Sequence, residues 1–198
     1  MNGAVGAEYE RRDLIAVKEI RIHGRGGQGA VLAARMLASA FVAEGKYVAS
    51  FPMYGFERRG APVVAFTRVD DKPIREKTQI YTPDCLVVID PGLMTLPTLF
   101  NGLQPDGILI LNTPKKLKKR PHENLKIGGV INATRIAVEE IGRDIPNTCL
   151  LGAFAAASGW LKMESLLACL EEYLSGDILQ RNLKSAARGY REVEVIKW

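Results

Sequence analysis

A run of glycines near the amino terminus is the part of this sequence best suited to binding chemistry. It fits the pattern G-x-G-x-x-G and consists of Gly24, Arg25, Gly26, Gly27, Gln28 and Gly29. Glycines let the backbone turn sharply and approach an anion closely, and free N–H groups at the start of a helix favour negative charge. The run follows a predicted strand and opens a predicted helix, so we predict a phosphate-cradling loop with Arg25 as a side-chain clamp. The alternative is that the glycines only allow a strand and a helix to cross closely.

A nicotinamide or flavin dinucleotide would make a second demand on the sequence. An Asp or Glu at the end of the next strand must hold a ribose hydroxyl. The acid about 20 residues further on is Glu44, but it precedes that strand, whose end reads Phe51-Pro52-Met53-Tyr54. The ribose-binding acid is therefore missing. An NAD(P)-dependent Rossmann-type oxidoreductase is kept as the alternative interpretation of the glycine spacing.

A second candidate constellation is the charged turn formed by Glu57, Arg58, Arg59 and Gly60. In an open α/β sheet this turn would lie near the strand ends if the predicted strand 47–53 lay beside the first strand. The turn and residues 24–29, which we call the Gly-rich loop, would then face one crevice. A solvated hairpin turn is the alternative interpretation, because adjacent arginines are common on protein surfaces.

Acid, base and metal-binding residues are too few to complete an active site. The two histidines are His23, which we expect to be a packed side chain within a strand, and His122. No nucleophile elbow or zinc-type histidine pair occurs. The three cysteines are widely spaced and odd in number, so neither a disulfide framework nor a metal cluster is predicted from them. The chain therefore looks catalytically incomplete on its own, and we predict no catalytic or metal-binding residue in it.

Composition and charge narrow the class of protein further. With 198 residues, 47% of them apolar and 25% charged, the chain has the balance of a soluble globular protein. It shows neither a signal peptide nor an apolar run long enough to span a membrane, so we predict a cytoplasmic protein without a membrane partner. The net charge of +5 matches the five basic residues within 115–120. Clustering in one loop argues against nucleic-acid binding, and we expect this loop mainly to aid solubility. Anion binding and the steering of an acidic partner protein are its alternative roles.

Hydrophobic periodicity predicts a chain of alternating strands and helices after an N-terminal extension, residues 1–17. We expect residues 18–198 to form a single α/β domain. The predicted strands cover residues 19–23, 47–53, 62–69, 85–89, 108–111, 128–131 and 192–198. The predicted helices cover 28–44 and 133–141, a small-residue segment that opens at Pro146, and two amphipathic segments around 166–174 and 179–190. This alternation predicts an open sheet, and the closely spaced strands 47–53 and 62–69 predict a mixed one. Two buried strands end in a polar residue, Asp90 and Asn112.

Several motifs together resemble the gamma subunit of 2-oxoacid:ferredoxin oxidoreductases, of the pyruvate or 2-oxoisovalerate type. The order and spacing of these motifs agree over roughly residues 18–190. They are Ile22 to Ala30, Glu44 to Val48, Phe51 to Gly55, Glu57 to Val63, Ala65 to Arg68, Gln79 to Tyr81, Val88 to Pro91, Asn132 to Thr134, Ile145 to Thr148 and Leu151 to Phe154. The resemblance implies a three-layer open mixed β-sheet with helices on both faces.

The resemblance also implies a function that the chain does not perform alone. Such complexes decarboxylate a 2-oxoacid, here pyruvate first of all, on thiamine diphosphate with Mg²⁺. They pass electrons through iron–sulfur clusters to ferredoxin and release acyl-coenzyme A. The resemblance places the thiamine and cluster sites on other chains and implies alpha, beta and usually ferredoxin-like delta subunits as partners.

The resemblance links the gamma subunit to the coenzyme A side of the reaction. Coenzyme A carries a diphosphate and a ribose phosphate, which suit a Gly-rich helix start and arginines without a ribose-binding acid. We therefore take residues 24–29 and 57–60 as candidate coenzyme A contacts. Two alternatives are kept: both loops are interface elements that close the active site, or the protein is a scaffold whose exposed small-residue helix contacts a partner.

Overall fold

The chain alternates strands with helices from residue 18 onward, and the computed structural model describes residues 17–53 and 60–198. The predicted extension, residues 1–17, lies outside the described residues except for Val17. The strands are β1 (Lys18–Arg25), β2 (Tyr47–Pro52), β3 (Pro62–Asp70), β4 (Cys85–Val88), β5 (Gly107–Asn112), β6 (Leu125–Ile131) and β7 (Glu194–Lys197). The helices are α1 (Ala30–Ala43), α2 (Ala133–Ile141), α3 (Asn147–Ser158), α4 (Met163–Leu170) and α5 (Gly176–Glu192), with a 3-10 helix at Pro91–Thr95.

The strands form one mixed seven-stranded sheet in the order β2-β3-β1-β4-β5-β6-β7, which confirms the predicted mixed α/β fold. Strands β1, β4, β5 and β6 are parallel, whereas β2, β3 and β7 pair in antiparallel fashion. The condition considered for the charged turn, that segment 47–53 lies beside the first strand, is not met, because β3 pairs with β1 along all of β1. The physical reason is burial: β3 is almost entirely buried, as an inner strand must be, while β2 is only half-buried and suits the edge.

All five α-helices pack together on one face of the sheet. Alternate strand residues such as Ile20, Ile22, Val87 and Ile110 point into this main core. Helix α3, rich in small residues, has ten of its 12 residues buried. The expectation of an exposed small-residue helix for a scaffold is therefore wrong. None of the helices in the described ranges combines the length and apolar composition needed to cross a lipid bilayer.

The opposite face of the sheet carries a smaller core, built from residues such as Leu86, Leu109, Leu93 and Leu99. The 3-10 helix and the loops around it pack over this smaller core. The helix on this face of the sheet is therefore only five residues long. Three prolines in the β4–β5 connection explain why this segment forms a short 3-10 helix instead of a long α-helix. A proline inside an α-helix removes a backbone hydrogen bond and clashes with the preceding turn. They are Pro91, Pro97 and Pro105.

Helix ends follow the signals in the sequence. The Asn132 side chain accepts a hydrogen bond from the backbone N–H of Arg135, which confirms it as the N-cap of α2. Gly45 follows α1 with a φ of 78°, the left-handed conformation predicted for it. The predicted strand 128–131 begins three residues earlier in the structure, and the predicted helix 28–44 begins two residues later and ends one residue earlier.

Two polar side chains of β1 point toward the second face. Arg21 donates from Nη2 to the carbonyl oxygen of Leu99 at 2.7 Å. His23 is 92% buried, and its Nε2 has no hydrogen-bond partner among the described residues. Burial, with a smaller contribution from the positive charge of Arg21, lowers the pKa of His23 from 6.5 to about 3. His23 is therefore a neutral, packed side chain, as the strand pattern predicted.

The closest helix contact in the main core depends on two glycines. A Cβ at Gly152 of α3 would lie 2.0 Å from the carbonyl oxygen of Ala186, and a Cβ at Gly189 of α5 would lie 2.0 Å from that of Cys149. Both distances are far inside van der Waals contact. The two helices can therefore approach as they do only because these positions lack side chains.

We expect Gly152→Ala and Gly189→Ala to lower the free energy of unfolding by about 1–3 kcal/mol, because each methyl group forces α3 and α5 apart. The better helix propensity of alanine offsets only part of this loss. Urea unfolding measures the change. Lys184→Ala, at an exposed position of α5, is the control and should stay within about 0.5 kcal/mol of the parent chain. A neutral effect of both glycine substitutions would contradict the close packing.

The buried, neutral His23 should make the fold sensitive to acid. The unfolded chain takes up a proton on this residue below pH 6.5, whereas the folded chain does so only near pH 3. Stability contributed by this difference is therefore present above pH 6.5 and falls as the pH is lowered, by about 2 kcal/mol between pH 7 and pH 5. Urea unfolding of the parent chain and His23→Gln at both pH values tests this. Equal losses in the two proteins would show that His23 is not responsible.

Candidate functional site

The Gly-rich loop joins the carboxyl end of β1 to the start of α1. Gly27 and Gly29 have φ values of 98° and 77°, in the left-handed region that favours glycine. A Cβ at Gly24 would lie 3.2 Å from the Cβ of Ala30, so the strand and the helix also cross closely here. The loop therefore contains both a sharp turn and a close crossing of strand and helix.

Backbone hydrogen bonds tie this loop to the start of β3. The N–H of Gly26 donates to the carbonyl oxygen of Ala61 at 2.9 Å, and the N–H of Gly60 donates to that of Gly26 at 3.2 Å. Arg25 Nη1 also donates to the Gly60 carbonyl at 3.1 Å. The structure thus brings Gly60 against the loop. The other predicted residues of this turn, Glu57, Arg58 and Arg59, lie outside the described residues.

Asp90, at the end of the strand next to β1, binds the other side of the loop. Its Oδ2 accepts a hydrogen bond from Gln28 Nε2 at 3.0 Å and pairs with Arg25 Nε at 3.2 Å. Its Oδ1 accepts from the N–H of Gly92 at 2.9 Å and caps the 3-10 helix. Sequence reasoning gave Asp90 no role in the site. The available signal was its position as a polar residue directly after a buried strand.

The polar groups of the loop divide into engaged and open ones. The N–H of Arg25 donates to Gln28 Oε1 at 2.8 Å, and the N–H of Gln28 donates to the Arg25 carbonyl at 3.0 Å. The amides of Gly27 and Gly29 form no hydrogen bond with any part of the chain that the structure describes. Helix α1 has no side-chain cap and no acid in its first turn. The open amides and the helix start can therefore accept an anion.

Arg25 contributes less free charge than the sequence suggests. Its guanidinium is already bonded to Asp90 and to Gly60, and the Asp90 carboxylate balances its charge. In this arrangement Arg25 orients the loop. It reaches an anion only by sharing its remaining donors, because the planar guanidinium has five N–H groups.

Asn147, the first residue of α3, packs directly against the loop. A Cβ at Gly29 would lie 2.6 Å from Asn147 Nδ2, so a larger residue there would push the Asn147 side chain aside, and the φ of 77° itself favours glycine. Sequence reasoning assigned Asn147 no contact with the loop. The contact joins residues more than 100 positions apart, and no local pattern reports such a pairing.

The cysteines are unsuited to reaction or metal binding as they stand. Cys85, Cys149 and Cys169 are free and buried. Burial, the largest influence on each, raises the thiol pKa of Cys85 well above its ordinary value and those of Cys149 and Cys169 to about 12. The thiolate needed for nucleophilic attack or metal ligation is therefore scarce at neutral pH. Within the described ranges, no three His, Cys, Asp or Glu residues come together in a way that could hold a metal ion.

The basic loop 115–120 lies next to the 3-10 helix. Lys115, Lys116, Lys118 and Lys119 line an open groove together with apolar residues that include Met94 and Leu111. The lysines are exposed, and no carboxylate of the described residues lies within 4 Å of their ammonium groups. Gly92 also lines this groove, so the groove adjoins the Asp90 carboxylate that is bonded to the Gly-rich loop.

Comparison with known proteins agrees with the sequence motifs. The model of the family described as "Pyruvate ferredoxin/flavodoxin oxidoreductase" matches residues 19–192. The common subunit gamma of the pyruvate/ketoisovalerate oxidoreductases of Pyrococcus furiosus is 49% identical over 186 residues, which cover 90% of this chain and 98% of the relative. Pyruvate synthase subunit PorC of Methanothermobacter thermautotrophicus is 46% identical, with 90% of this chain and 97% of the relative covered.

A solved structure extends the similarity to three dimensions. The crystal structure of pyruvate oxidoreductase subunit PORC from Thermotoga maritima superposes with a TM-score of 0.81 and 39% sequence identity. The match covers 91% of this chain and 99% of that one. These findings do not support the alternative of a Rossmann-type NAD(P) enzyme. The acid at the end of the strand parallel to β1 is Asp90, and both of its oxygens are engaged inside the protein. The chain belongs to the pyruvate ferredoxin/flavodoxin oxidoreductase family, as a gamma subunit of the pyruvate synthase type.

Proposed function

We propose that this chain acts only inside a complex with alpha, beta and delta subunits that converts pyruvate and coenzyme A to acetyl-coenzyme A and CO₂ while reducing ferredoxin. The relatives that carry this proposal are named as subunits of oxidoreductases, and the chain covers nearly their whole length. The side chains of this chain agree with such a division of labour. His23 is buried and neutral, and all three thiols are buried and protonated, so none is poised as an acid, base or cluster ligand.

The other chains of the complex hold thiamine diphosphate, Mg²⁺ and the iron–sulfur clusters in this proposal. Thiamine diphosphate supplies the electron sink for decarboxylation when it is bound. The contribution of this chain is binding and positioning at the carboxyl ends of its central strands. In open α/β sheets that edge is where ligands bind.

We further propose that the Gly-rich loop forms part of the coenzyme A site. The observation that carries this is the pair of open amides at Gly27 and Gly29, placed at the uncapped start of α1. Backbone amides at a helix start suit the diphosphate of coenzyme A. Arg58 and Arg59 directly precede Gly60 in the sequence, and Gly60 is itself bonded to the loop, which supports these two cations as further contacts of the ligand.

The residues around the loop position it for this ligand. Asp90 draws Arg25 and Gln28 toward the 3-10 helix, while Gly60 and Ala61 hold the other side. A loop fixed from both sides loses little conformational freedom on binding, which lowers the cost of association. Arg25 thus acts mainly by orienting the loop, and Arg58 and Arg59 supply the positive charge.

An interface role for the same loops is the second candidate. It is favoured by the extensive internal bonding of Arg25, which leaves its guanidinium partly occupied. In that case, Arg58 and Arg59 would contact a neighbouring subunit and close the active site. The two roles differ in what fails first when the arginines are removed.

The full chain purified alone should show no pyruvate-dependent reduction of ferredoxin, because the decarboxylation and electron-transfer groups are on other chains. The co-purified complex should show it when coenzyme A is supplied. Turnover by the lone chain, after partner subunits are excluded by mass spectrometry, would contradict the proposed division of labour.

Removal of the two arginines distinguishes the coenzyme A role from the interface role. We expect Arg58→Ala/Arg59→Ala in the assembled complex to raise the KM for coenzyme A about tenfold or more, with the KM for pyruvate unchanged, since two charge-assisted contacts to phosphate are lost. The control is Arg75→Ala, an exposed arginine outside the site. An unchanged KM for coenzyme A would remove the main support for the ligand role. Loss of the complex in size-exclusion chromatography would favour the interface role.

A further inference from the structure

A cavity on the helical side of the sheet, behind the Gly-rich loop, has no role in the function proposed above. Its volume is about 320 Å³, at the low end of the range for small-molecule sites. Three helices contribute a residue of their first turn to its wall: Leu32 from α1, Asn147 from α3 and Ile178 from α5. The amino-terminal ends of all three helices therefore border one space.

None of these three helix starts has a side-chain cap. The N-cap positions of α1, α3 and α5 are Gly29, Pro146 and Ser175, and none of their side chains accepts a hydrogen bond from the helix. By contrast, Asn132 caps α2. Uncapped helix starts carry partial positive charge. Their convergence makes the electrostatic potential of the cavity favourable to an anion, although this alone does not identify a ligand.

Three polar side chains that line the cavity, Asn147, Thr148 and Asn182, supply an independent indication of a ligand. The Thr148 hydroxyl donates to Asn182 Oδ1 at 2.9 Å, and Asn182 Nδ2 donates to the carbonyl oxygen of Ile178 at 2.8 Å. Asn147 Oδ1 accepts from the N–H of Thr148 at 2.8 Å. Asn147 Nδ2 makes no hydrogen bond with any residue in the described ranges, although the residue is 97% buried. Asn147 lines the cavity, and its Nδ2 is not among the fully buried polar atoms that lack a partner, so a molecule in the cavity can accept a hydrogen bond from it.

Charged side chains at the mouth add to the preference for an anion. Arg143 is exposed, lines the cavity and forms no ion pair within the part of the chain that the structure describes. Arg181 is paired with Asp177 through Nε at 2.6 Å, and its other nitrogens form no bond with any described residue. The formal charge of the lining is therefore +1, from two arginines and one aspartate.

The remaining walls are aliphatic. They consist of Leu32, Met36, Ile141, Ile145, Leu174 and Ile178. Water gains little from such walls, whereas a short hydrocarbon group would bury apolar surface against them. The cavity thus combines the Asn147 amide donor and the Arg143 guanidinium, which has no ion pair among the described residues, with an apolar compartment. This is the pattern of a site for a small amphipathic molecule.

We propose that this cavity binds a small organic oxyanion, with the anionic group on Asn147 Nδ2 and Arg143 and a short aliphatic part between α1 and α5. The chemistry fits a short-chain carboxylate best, and a phosphate shares the anionic head. The proposal does not depend on which ligand occupies the Gly-rich loop. Because Asn147 Nδ2 also lies against Gly29, a ligand on Asn147 contacts the residue that holds the loop in place.

Calorimetric titration of the full chain with isobutyrate tests the proposal, with isobutyramide as the neutral analogue and inorganic phosphate as the second anion. We expect saturable binding of isobutyrate and at least about tenfold weaker binding of isobutyramide, because the amide lacks the charge that Arg143 recognises. Saturable binding of phosphate as well would assign the selectivity to the oxyanion head. Binding of isobutyramide as tight as that of isobutyrate, or saturation by neither anion, would overturn the proposal.

Two variants locate the binding at this cavity. Arg143→Gln, at an exposed position, should fold normally and weaken isobutyrate binding about tenfold, and Asn147→Asp should abolish it by placing a carboxylate against the anion. Arg191→Gln, an exposed arginine at the other end of α5, is the matched control. If Asn147→Asp fails to fold, the affinities of Arg143→Gln and Arg191→Gln for isobutyrate still show whether the ligand binds at this cavity. Equal affinities for these two variants, or loss of binding when the parent chain is assembled into its complex, would overturn the proposal.

Discussion

The Asp90 carboxylate holds together the edge of the sheet on which the proposed activity depends. It joins the end of β4, the Gly-rich loop after β1 and the 3-10 helix through bonds to Gln28, Arg25 and the Gly92 amide. A charged group that is only partly exposed needs such partners, because an unpaired carboxylate would carry a desolvation cost. The three bonds also fix where the open amides of the loop point. The geometry of the site is therefore a consequence of satisfying one carboxylate.

The position of β1 in the sheet explains why the loop lies at a crevice. Strand β1 pairs with antiparallel β3 on one side and with parallel β4 on the other. The chain leaves β1 at the boundary between the two halves of the sheet, where the connections diverge. The start of β3 closes one side through Gly60 and Ala61, and the end of β4 closes the other. The loop is accordingly a rigid feature built on strands, as a site that must orient a ligand requires.

The helical layer combines tight packing with an open region. Gly152 and Gly189 bring α3 and α5 into backbone contact, while the amino-terminal ends of these helices and of α1 border a cavity. Asn147 links the two regions, since it begins α3 and also lies against Gly29. In the proposed complex, such a subunit would support the reaction through shape and fixed dipoles, because His23 and the three cysteines are buried in their neutral forms.

The sequence by itself determined the alternation of strands and helices, the mixed sheet, the caps at Asn132 and Gly45, and the place of the Gly-rich loop. These features follow from local signals: periodicity, β-branched runs, and glycines that permit left-handed backbone. The motifs also indicated the family. Only the tertiary structure decided the strand order, in which β3 and not β2 borders β1, and the cover of the second face by a 3-10 helix. It also decided the engagement of Asp90 and the contact of Asn147 with Gly29. Each of these depends on pairings between residues distant along the chain, and such pairings are fixed by burial and hydrogen bonding across the whole domain, which no local window of sequence contains.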